Sequence, residues 1–333
     1  MKKIKLALVG ATGLIGNVAR EVLIERNLPI DEYFFVASER SKGKKIKFMN
    51  KEYEIYAISE DFFKDNKVDY AIFCAGGSVS RQYAPIAQKY GTIVIDNSSE
   101  FRMDKDVPLV VPEVNSEKIA SHKGIIANPN CSTIQAMLPL KVIDDLFGIE
   151  RVVYSTYQAV SGAGMQGIQD LEDTIKGLPY KKFQYSIIKN CIPHIDVFLE
   201  NGYTKEEMKM VNESRKILGN DKLRVTATTV RVPIRSAHSE SINVECKKEI
   251  DLELLKEKLS EFNGIILEDD VTNNKYPLAQ YAEGRDEVFV GRLRYDESIQ
   301  DHKGLNFWCV ADNTRKGAAT NAVQILEWIL NNK

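Results

Sequence analysis

Lys5-Leu6-Ala7-Leu8-Val9-Gly10-Ala11-Thr12-Gly13-Leu14-Ile15-Gly16 is a short apolar run that breaks into a glycine-rich turn. The next residues, Asn17-Val18-Ala19-Arg20-Glu21-Val22-Leu23, carry apolar side chains at helical spacing. Strand, turn and helix in this order put a pyrophosphate on a helix N-terminus, where unpaired N–H groups and the helix dipole meet its charge. The spacing is GxxGxxG rather than GxGxxG. The turn alone is therefore a weak sign, and the strand-to-helix context carries it. Gly10, Thr12, Gly13, Leu14 and Ile15 are the expected cofactor contacts in this turn.

A second strand, Tyr33-Phe34-Phe35-Val36-Ala37, ends in Ser38-Glu39-Arg40-Ser41-Lys42-Gly43-Lys44-Lys45. NAD enzymes often place an acid at this point to hold the ribose 2′-hydroxyl. Here Ser38 stands in its place, with Arg40 and Ser41 close by. Hydroxyls and a guanidinium suit a 2′-phosphate, so the loop favours NADP, although Glu39 could serve NAD.

Further strands read at Val68–Ala75, ending in Gly76-Gly77-Ser78, and at Thr92–Asp96, followed by Asn97-Ser98-Ser99-Glu100-Phe101-Arg102. Leu109–Pro112 and Gly124–Ala127 complete the series. Strands alternating with helices predict an α/β fold, a doubly wound, mostly parallel Rossmann sheet whose ligand lies at the C-terminal ends of the strands. Beyond residue 130 the strands lengthen and alternate, as at Arg151–Val160, Arg224–Ile234 and Ser241–Cys246. Helices are expected near Met165–Lys176 and Lys205–Leu218. This pattern predicts a second α+β domain with an antiparallel or mixed sheet. The expected division is residues 1–130, completed by the C-terminal helix 314–333, whose helical run reads from about Lys316 to Leu330, and 131–313 as the catalytic and dimerisation domain.

Cys131 follows an Asn-Pro-Asn turn and opens the helical run Thr133-Ile134-Gln135-Ala136-Met137-Leu138. A thiol there meets the positive end of a helix dipole, which favours the nucleophilic thiolate. A small buried residue in a turn is the plain alternative. The five cysteines are odd in number, widely spread and without a CxxC pair, and the four histidines form no metal-spaced cluster. These counts point to a reducing compartment and against a disulfide framework or a metal site. The net charge of −2 shows no dominant basic stripe, so nucleic acid is not an expected partner. No run reaches the roughly 18 apolar residues of a membrane span. A soluble, cytoplasmic protein is expected.

Four motifs in one order make the chain similar to a known family. They are Gly10-Ala-Thr-Gly-Leu-Ile-Gly16, Asn130-Cys131-Ser132-Thr133, Gln158-Ala159-Val160-Ser161-Gly162-Ala163-Gly164 and Arg231-Val-Pro-Ile-Arg-Ser-Ala-His238. With Asp312-Asn313-x-x-Lys316-Gly317 they resemble the aspartate-semialdehyde dehydrogenases from Lys5 to the last helix. The resemblance implies NADPH-dependent reduction of L-aspartyl 4-phosphate to L-aspartate 4-semialdehyde and phosphate, on the way to lysine, threonine, methionine and isoleucine. It implies Cys131 as nucleophile, His238 as acid/base and Gln158 as the group that orients the acyl carbon. For the substrate it implies Asn130, Arg231 at the carboxylate, Glu207 at the amine, and Arg102 with Lys209 at the phosphate. For the cofactor it implies Gly76, Ser161, Gly162 and Asn313 beside the turn and Ser38–Ser41.

The chemistry follows from the residue types. A thiolate attacks the acyl phosphate, expels phosphate and leaves a thioester, splitting one hard step into two. An arginine fork suits a carboxylate, and Arg231 or Arg235 could serve on geometry alone. Residues 231 and 238 would be about 23 Å apart in an extended strand, so sharing one pocket requires a bend between Pro233 and His238. Alternatives on the same scaffold are N-acetylglutamyl-phosphate reductase, malonyl-CoA reductase and a non-catalytic NADP-binding paralogue. A homodimer through the sheet of the second domain is expected.

Overall fold

The computed structural model describes residues 3–332. The chain divides into two compact units, one holding the residues up to Pro129 with those from Ala318 onward, the other Asn130–Gly317.

The first unit begins with β1 (Lys5–Val9), α1 (Leu14–Arg26) and β2 (Glu32–Ala37). A hairpin of β3 (Lys45–Phe48) and β4 (Lys51–Ala57) follows, then α2 (Glu60–Asn66), β5 (Tyr70–Phe73), α3 (Gly77–Lys89) and β6 (Ile93–Asp96). A short α4 (Pro112–Asn115) precedes β7 (Ile125–Ala127). The sheet order is β3-β4-β2-β1-β5-β6-β7. All pairs are parallel except the β3–β4 hairpin. Near-continuous apolar runs make these strands, because both sheet faces are covered. Leu6, Leu8, Phe35, Tyr70, Ile72, Ile95 and Ile126 form the buried core.

The second unit runs through α5 (Cys131–Phe147), β8 (Ile149–Gln158), α6 (Met165–Ile175), α7 (Lys205–Leu218), β9 (Arg224–Arg231) and β10 (His238–Cys246). It continues with α8 (Leu252–Glu261), β11 (Ile265–Leu267), α9 (Ala279–Ala282), β12 (Val288–Tyr295) and β13 (Gly304–Ala311). Its sheet order is β11-β12-β13-β10-β8-β9, with parallel pairs at β11–β12 and β8–β9 and antiparallel pairs elsewhere. The C-terminal α10 (Asn321–Asn331) belongs to the first unit, where Ala322, Val323, Leu326 and Ile329 enter the core with Leu6 and Leu8.

Three expectations need correcting. Leu109–Pro112 is no strand: only Leu109 bridges to Ala127, and Pro112 opens α4. Proline lacks the N–H a ladder needs and suits the first turn of a helix. The helix expected to start at Lys316 is a wider π-type turn over Arg315–Thr320, and regular α-helix begins at Asn321. The strands expected to reach Val160 and Ile234 stop at Gln158 and Arg231. Strand resumes at His238 after a bend in which Ala237 takes a left-handed φ of 66°.

Candidate active site

In the first unit, five loops follow the C-terminal ends of β1, β2, β5, β6 and β7. Gly10 has φ of 82°, and a Cβ there would lie 2.7 Å from the carbonyl oxygen of Cys74. Gly16 touches the Gly10 carbonyl so closely that a Cβ would collide with it. These two glycines let the turn fold tightly back between β1 and β5. Gly13 and Gly76 precede α1 and α3 and offer no side-chain cap. The first-turn amides of two adjacent helices are thus left without a side-chain acceptor, a cradle that fits a dinucleotide pyrophosphate. Ser38, Glu39 and Arg40 form an exposed turn at the end of β2, continued by Ser41. Arg102 is buried, and its guanidinium donates to the carbonyls of Asn128 (2.9 Å) and Asn97 (2.9 Å).

In the second unit, Cys131 is the first residue of α5 and is half-buried. Asn130 caps this helix: its Oδ1 accepts from the N–H groups of Ser132 (3.0 Å) and Thr133 (3.4 Å). Its Nδ2 donates to Glu206 Oε1 at 2.9 Å, and its backbone N–H donates to Glu213 at 2.6 Å. Both ends of the Asn130 amide, expected among the substrate contacts, are therefore engaged in fixing the helix start. Gly317 lies against the cysteine, and a Cβ there would come within 3.0 Å of Cys131 Cβ.

Strand alternation brings the other groups to one sheet face. Thr156 and Gln158 on β8, Thr229 and Arg231 on β9, and His238 and Glu240 on β10 are all buried. Side chains two apart share a face, and this face is the one α5 and α7 cover. Gln158 pairs with Arg231, and His238 follows one step beyond the Tyr157–Ser239 pair. All three sit at the same end of the sheet, because β8 and β9 end where β10 begins. The Gln158 amide donates to Glu206 Oε1 (3.2 Å), accepts from Thr156 Oγ1 (3.1 Å) and lies 3.4 Å from His238 Nε2. Arg231 donates to the Ala159 carbonyl at 2.6 Å. Arg235, the geometric alternative, is exposed in the bend. Gly162 faces both groups: a Cβ there would be 2.8 Å from Arg231 Nη1 and 3.3 Å from His238 Nε2. Ser161 Oγ donates to Asn313 Oδ1, which also accepts from the Ala237 N–H.

Charge in this cluster is organised by Glu206. Burial pushes its carboxyl pKa up, but the Lys209 charge and hydrogen bonds from Asn130, Lys209 and Gln158 outweigh it and hold it at about 2. Burial, then the positive charge of Arg231, depress the His238 pKa to about 3. Arg231 is lowered from its usual value by burial, against the opposing charges of Glu206 and Cys131. Lys209 donates to Glu206 Oε2 (2.9 Å) and Asp196 Oδ2 (2.8 Å).

Glu207, expected at the substrate amine, has both carboxylate oxygens engaged within the protein. Its Oε2 accepts from the Thr204 N–H (2.7 Å) and its Oε1 from the Thr229 N–H (3.0 Å). With Thr204 Oγ1 accepting from the Glu207 N–H, it closes a capping box at the start of α7. Glu206 is the carboxylate that joins Asn130, Gln158 and Lys209. The signal was present in the sequence: Thr204-x-x-Glu207 is a capping box, which leaves Glu206 and Lys209 three apart on one face. Gly317 stands in the Asp312–Gly317 motif without a role there, and its contact with Cys131 supplies one.

Residues 5–122 match the family model described as semialdehyde dehydrogenase, NAD binding domain, and residues 140–316 match semialdehyde dehydrogenase, dimerisation domain. These two models define a semialdehyde dehydrogenase of two parts. The aspartate-semialdehyde dehydrogenase of Aquifex aeolicus is 53% identical over 336 residues, covering 98% of each chain. That of Campylobacter jejuni is 48% identical, covering 100% of this chain and 99% of its own. The crystal structure of Vibrio cholerae aspartate semialdehyde dehydrogenase II complexed with ASA superposes with a TM-score of 0.94 at 47% identity, over 100% of this chain and 99% of that one. The chain belongs to the aspartate-semialdehyde dehydrogenase family.

Proposed function

We propose that this chain carries out NADPH-dependent reductive dephosphorylation of L-aspartyl 4-phosphate to L-aspartate 4-semialdehyde and phosphate, in the synthesis of lysine, threonine, methionine and isoleucine. The observation that carries the reading is the convergence of Gln158, Arg231, His238 and Glu206 on one buried sheet face under the helix that begins with Cys131.

Cys131 is the nucleophile. The start of α5 and the nearby guanidinium of Arg231 both favour its thiolate. The sulfur attacks the acyl carbon, the C–S bond forms, and phosphate leaves with the electrons of the C–O bond. Gln158 orients the acyl group. His238 accepts the Ala159 N–H on Nδ1, so its neutral ring carries the proton on Nε2. That N–H is a donor for the acyl oxygen as negative charge develops there. Protonating Nδ1 as well would require releasing the Ala159 bond. Arg231 meets the substrate carboxylate, Glu206 its ammonium, and Lys209 with Arg102 the phosphate. A set built for a free amino-acid phosphate disfavours acetylated or CoA-bound substrates.

The cradle of Gly10, Thr12, Gly13, Leu14, Ile15 and Gly76 suits the cofactor pyrophosphate, with Ser38, Arg40 and Ser41 selecting the 2′-phosphate of NADP over NAD. Ser161, Gly162 and Asn313 are further cofactor contacts. Bound NADPH supplies the hydride that takes the thioester to the aldehyde level.

The protein is proposed to be a cytoplasmic homodimer. In the second sheet, α5, α7 and α8 pack on or beside one face. The other face presents exposed Tyr157, tilted against Trp308 with ring centroids 5.5 Å apart, beside Tyr276 and Leu278. Such an apolar patch suits a second copy, and light scattering showing a monomer at micromolar concentration would count against it. The activity is tested in reverse, by following NADPH formation from L-aspartate semialdehyde and NADP with and without inorganic phosphate, with NAD in parallel. Phosphate-dependent NADPH formation is the expected result. Its absence in protein that still binds NADP would overturn the reading.

A further inference from the structure

Lys209 is shared by two carboxylates, and only one of them belongs to the cluster around Cys131. Glu206 is buried and tied to Asn130 and Gln158. Asp196 comes from the segment between α6 and α7, and its side chain is 31% exposed. That segment is anchored: Ile192 exchanges backbone hydrogen bonds with Arg231 at 2.8 and 2.9 Å, and Ile195 is buried. Asp196 then adopts a left-handed φ of 68°. Its Oδ1 accepts from the Val197 N–H at 2.9 Å, which aims Oδ2 at Lys209 Nζ, 2.8 Å away. A left-handed backbone at a non-glycine residue is a cost, although one that aspartate bears better than most. The cost is met here by the anchored segment, and its result is a carboxylate held on the solvent side of the lysine. Burial tends to raise the Asp196 pKa, but the hydrogen bond and charge of Lys209 hold it below its usual value.

A phosphate that binds Lys209 therefore meets a place already filled by a negative charge. Glu206 and Asp196 together exceed the single charge of the lysine, so a dianion gains nothing at Lys209 while Asp196 remains on it. We propose that Asp196 is a specificity-determining counter-ion: it occupies Lys209 when the phosphate position is empty and is displaced when phosphate binds. This rests on the reading that Lys209 contacts phosphate. The displaced carboxylate is partly exposed, so water can take it up, whereas buried Glu206 must stay and keep Lys209 charged. Asp196 thus sets the affinity for inorganic phosphate in the reverse direction without touching the acyl carbon.

The test is steady-state kinetics of the reverse reaction on Asp196→Asn, Lys209→Met and the double variant. Asparagine keeps the acceptor for the Val197 N–H and removes only the charge. Asp196→Asn is expected to lower the KM for phosphate by about three- to tenfold, the scale of one partly screened charge contact. Its kcat and KM for the semialdehyde are expected to stay within about twofold. Lys209→Met is expected to raise the phosphate KM, and adding Asp196→Asn to it is expected to change nothing further. An unchanged or raised phosphate KM in Asp196→Asn, with the Lys209→Met effect intact, overturns the counter-ion role alone. No phosphate effect in Lys209→Met overturns the assignment of Lys209, and the counter-ion role with it.

Discussion

The backbone N–H of Ala159 donates to Nδ1 of His238 at 3.0 Å, so the imidazole is held as its Nε2-protonated tautomer. Ala159 follows the last residue of β8, and His238 is the first of β10. The strand ends that build the pocket therefore also fix its tautomer.

The first prediction concerns acid. Burial and Arg231 lower the His238 pKa from 6.5 to about 3 in the fold. A lowered folded pKa means that the folded state favours the neutral ring. This stabilisation is fully present above the unfolded value of 6.5 and is lost as pH falls toward 3. Nitrogen NMR of the free enzyme should show His238 unprotonated at Nδ1 and protonated at Nε2 throughout the range down to about pH 5. A titration centred near the ordinary histidine value would contradict the lock.

The second separates two neighbouring carboxylates. Glu207→Gln keeps an acceptor for the Thr229 N–H but turns a donor toward the Thr204 N–H, breaking one half of the capping box. A loss of about 1 kcal/mol in stability is expected, with kcat nearly unchanged. Glu206→Gln keeps the shape but removes the charge that faces Lys209 and Arg231. It should raise the substrate KM by about tenfold or more while moving the melting temperature less. If Glu207→Gln instead raised the substrate KM, the proposed pairing of the amine with Glu206 would be overturned.

The choice between these two carboxylates shows what the chain's letters hold. The turn Gly10–Gly16 was legible because an apolar run, a glycine pattern and helical spacing agree on one βα unit. The β3–β4 hairpin was not, because the edge strand β3 spans only Lys45–Phe48 and β4 beside it is charged at Lys51, Glu52 and Glu54, with Ile55 its one buried residue. β12 is broken by a register shift after Gly291, with Arg292 at φ of 56°, and so loses its period of two. Around the thiol, motif letters located Gln158, Arg231 and His238, and strand period explains why they share a face. Motif letters could not choose between Glu206 and Glu207, because that choice depends on where α7 starts. The role of Gly317 depends on a contact between residues 186 positions apart in sequence, 131 and 317, which no local pattern encodes.

Gly317 gives the third prediction. Its Cα side faces Cys131, and a methyl group there would stand 3.0 Å from the cysteine Cβ and 3.4 Å from its Cα. Gly317→Ala must therefore push the first residue of α5 or the π-type turn that carries it. A shift of a few tenths of an ångström at the nucleophile is expected to lower kcat by about ten- to a hundredfold. The alkylation rate of Cys131 should fall with it, while thermal stability drops only modestly. Full activity in Gly317→Ala would mean that the thiol tolerates displacement.

The last concerns Glu240, two residues beyond His238 on the same face. It is completely buried, and neither its carboxyl oxygens nor the Ser132 hydroxyl completes a hydrogen bond. Burial drives its pKa well above the usual 4.5, with only partial opposition from Ser132. A buried carboxylate without a partner is costly, so the group stays protonated. Its folded pKa exceeds its unfolded one, so the unfolded chain releases this proton first. Stability from this site is then full below 4.5 and declines as pH rises toward the folded pKa. Glu240→Gln is neutral at every pH and removes that decline. The variant should match the parent's melting temperature near about pH 4 and exceed it by several degrees near about pH 8. Glutamine also keeps the volume next to Ser132, so activity should survive. A variant less stable than the parent at alkaline pH would show that the carboxylate is charged and partnered in the folded protein.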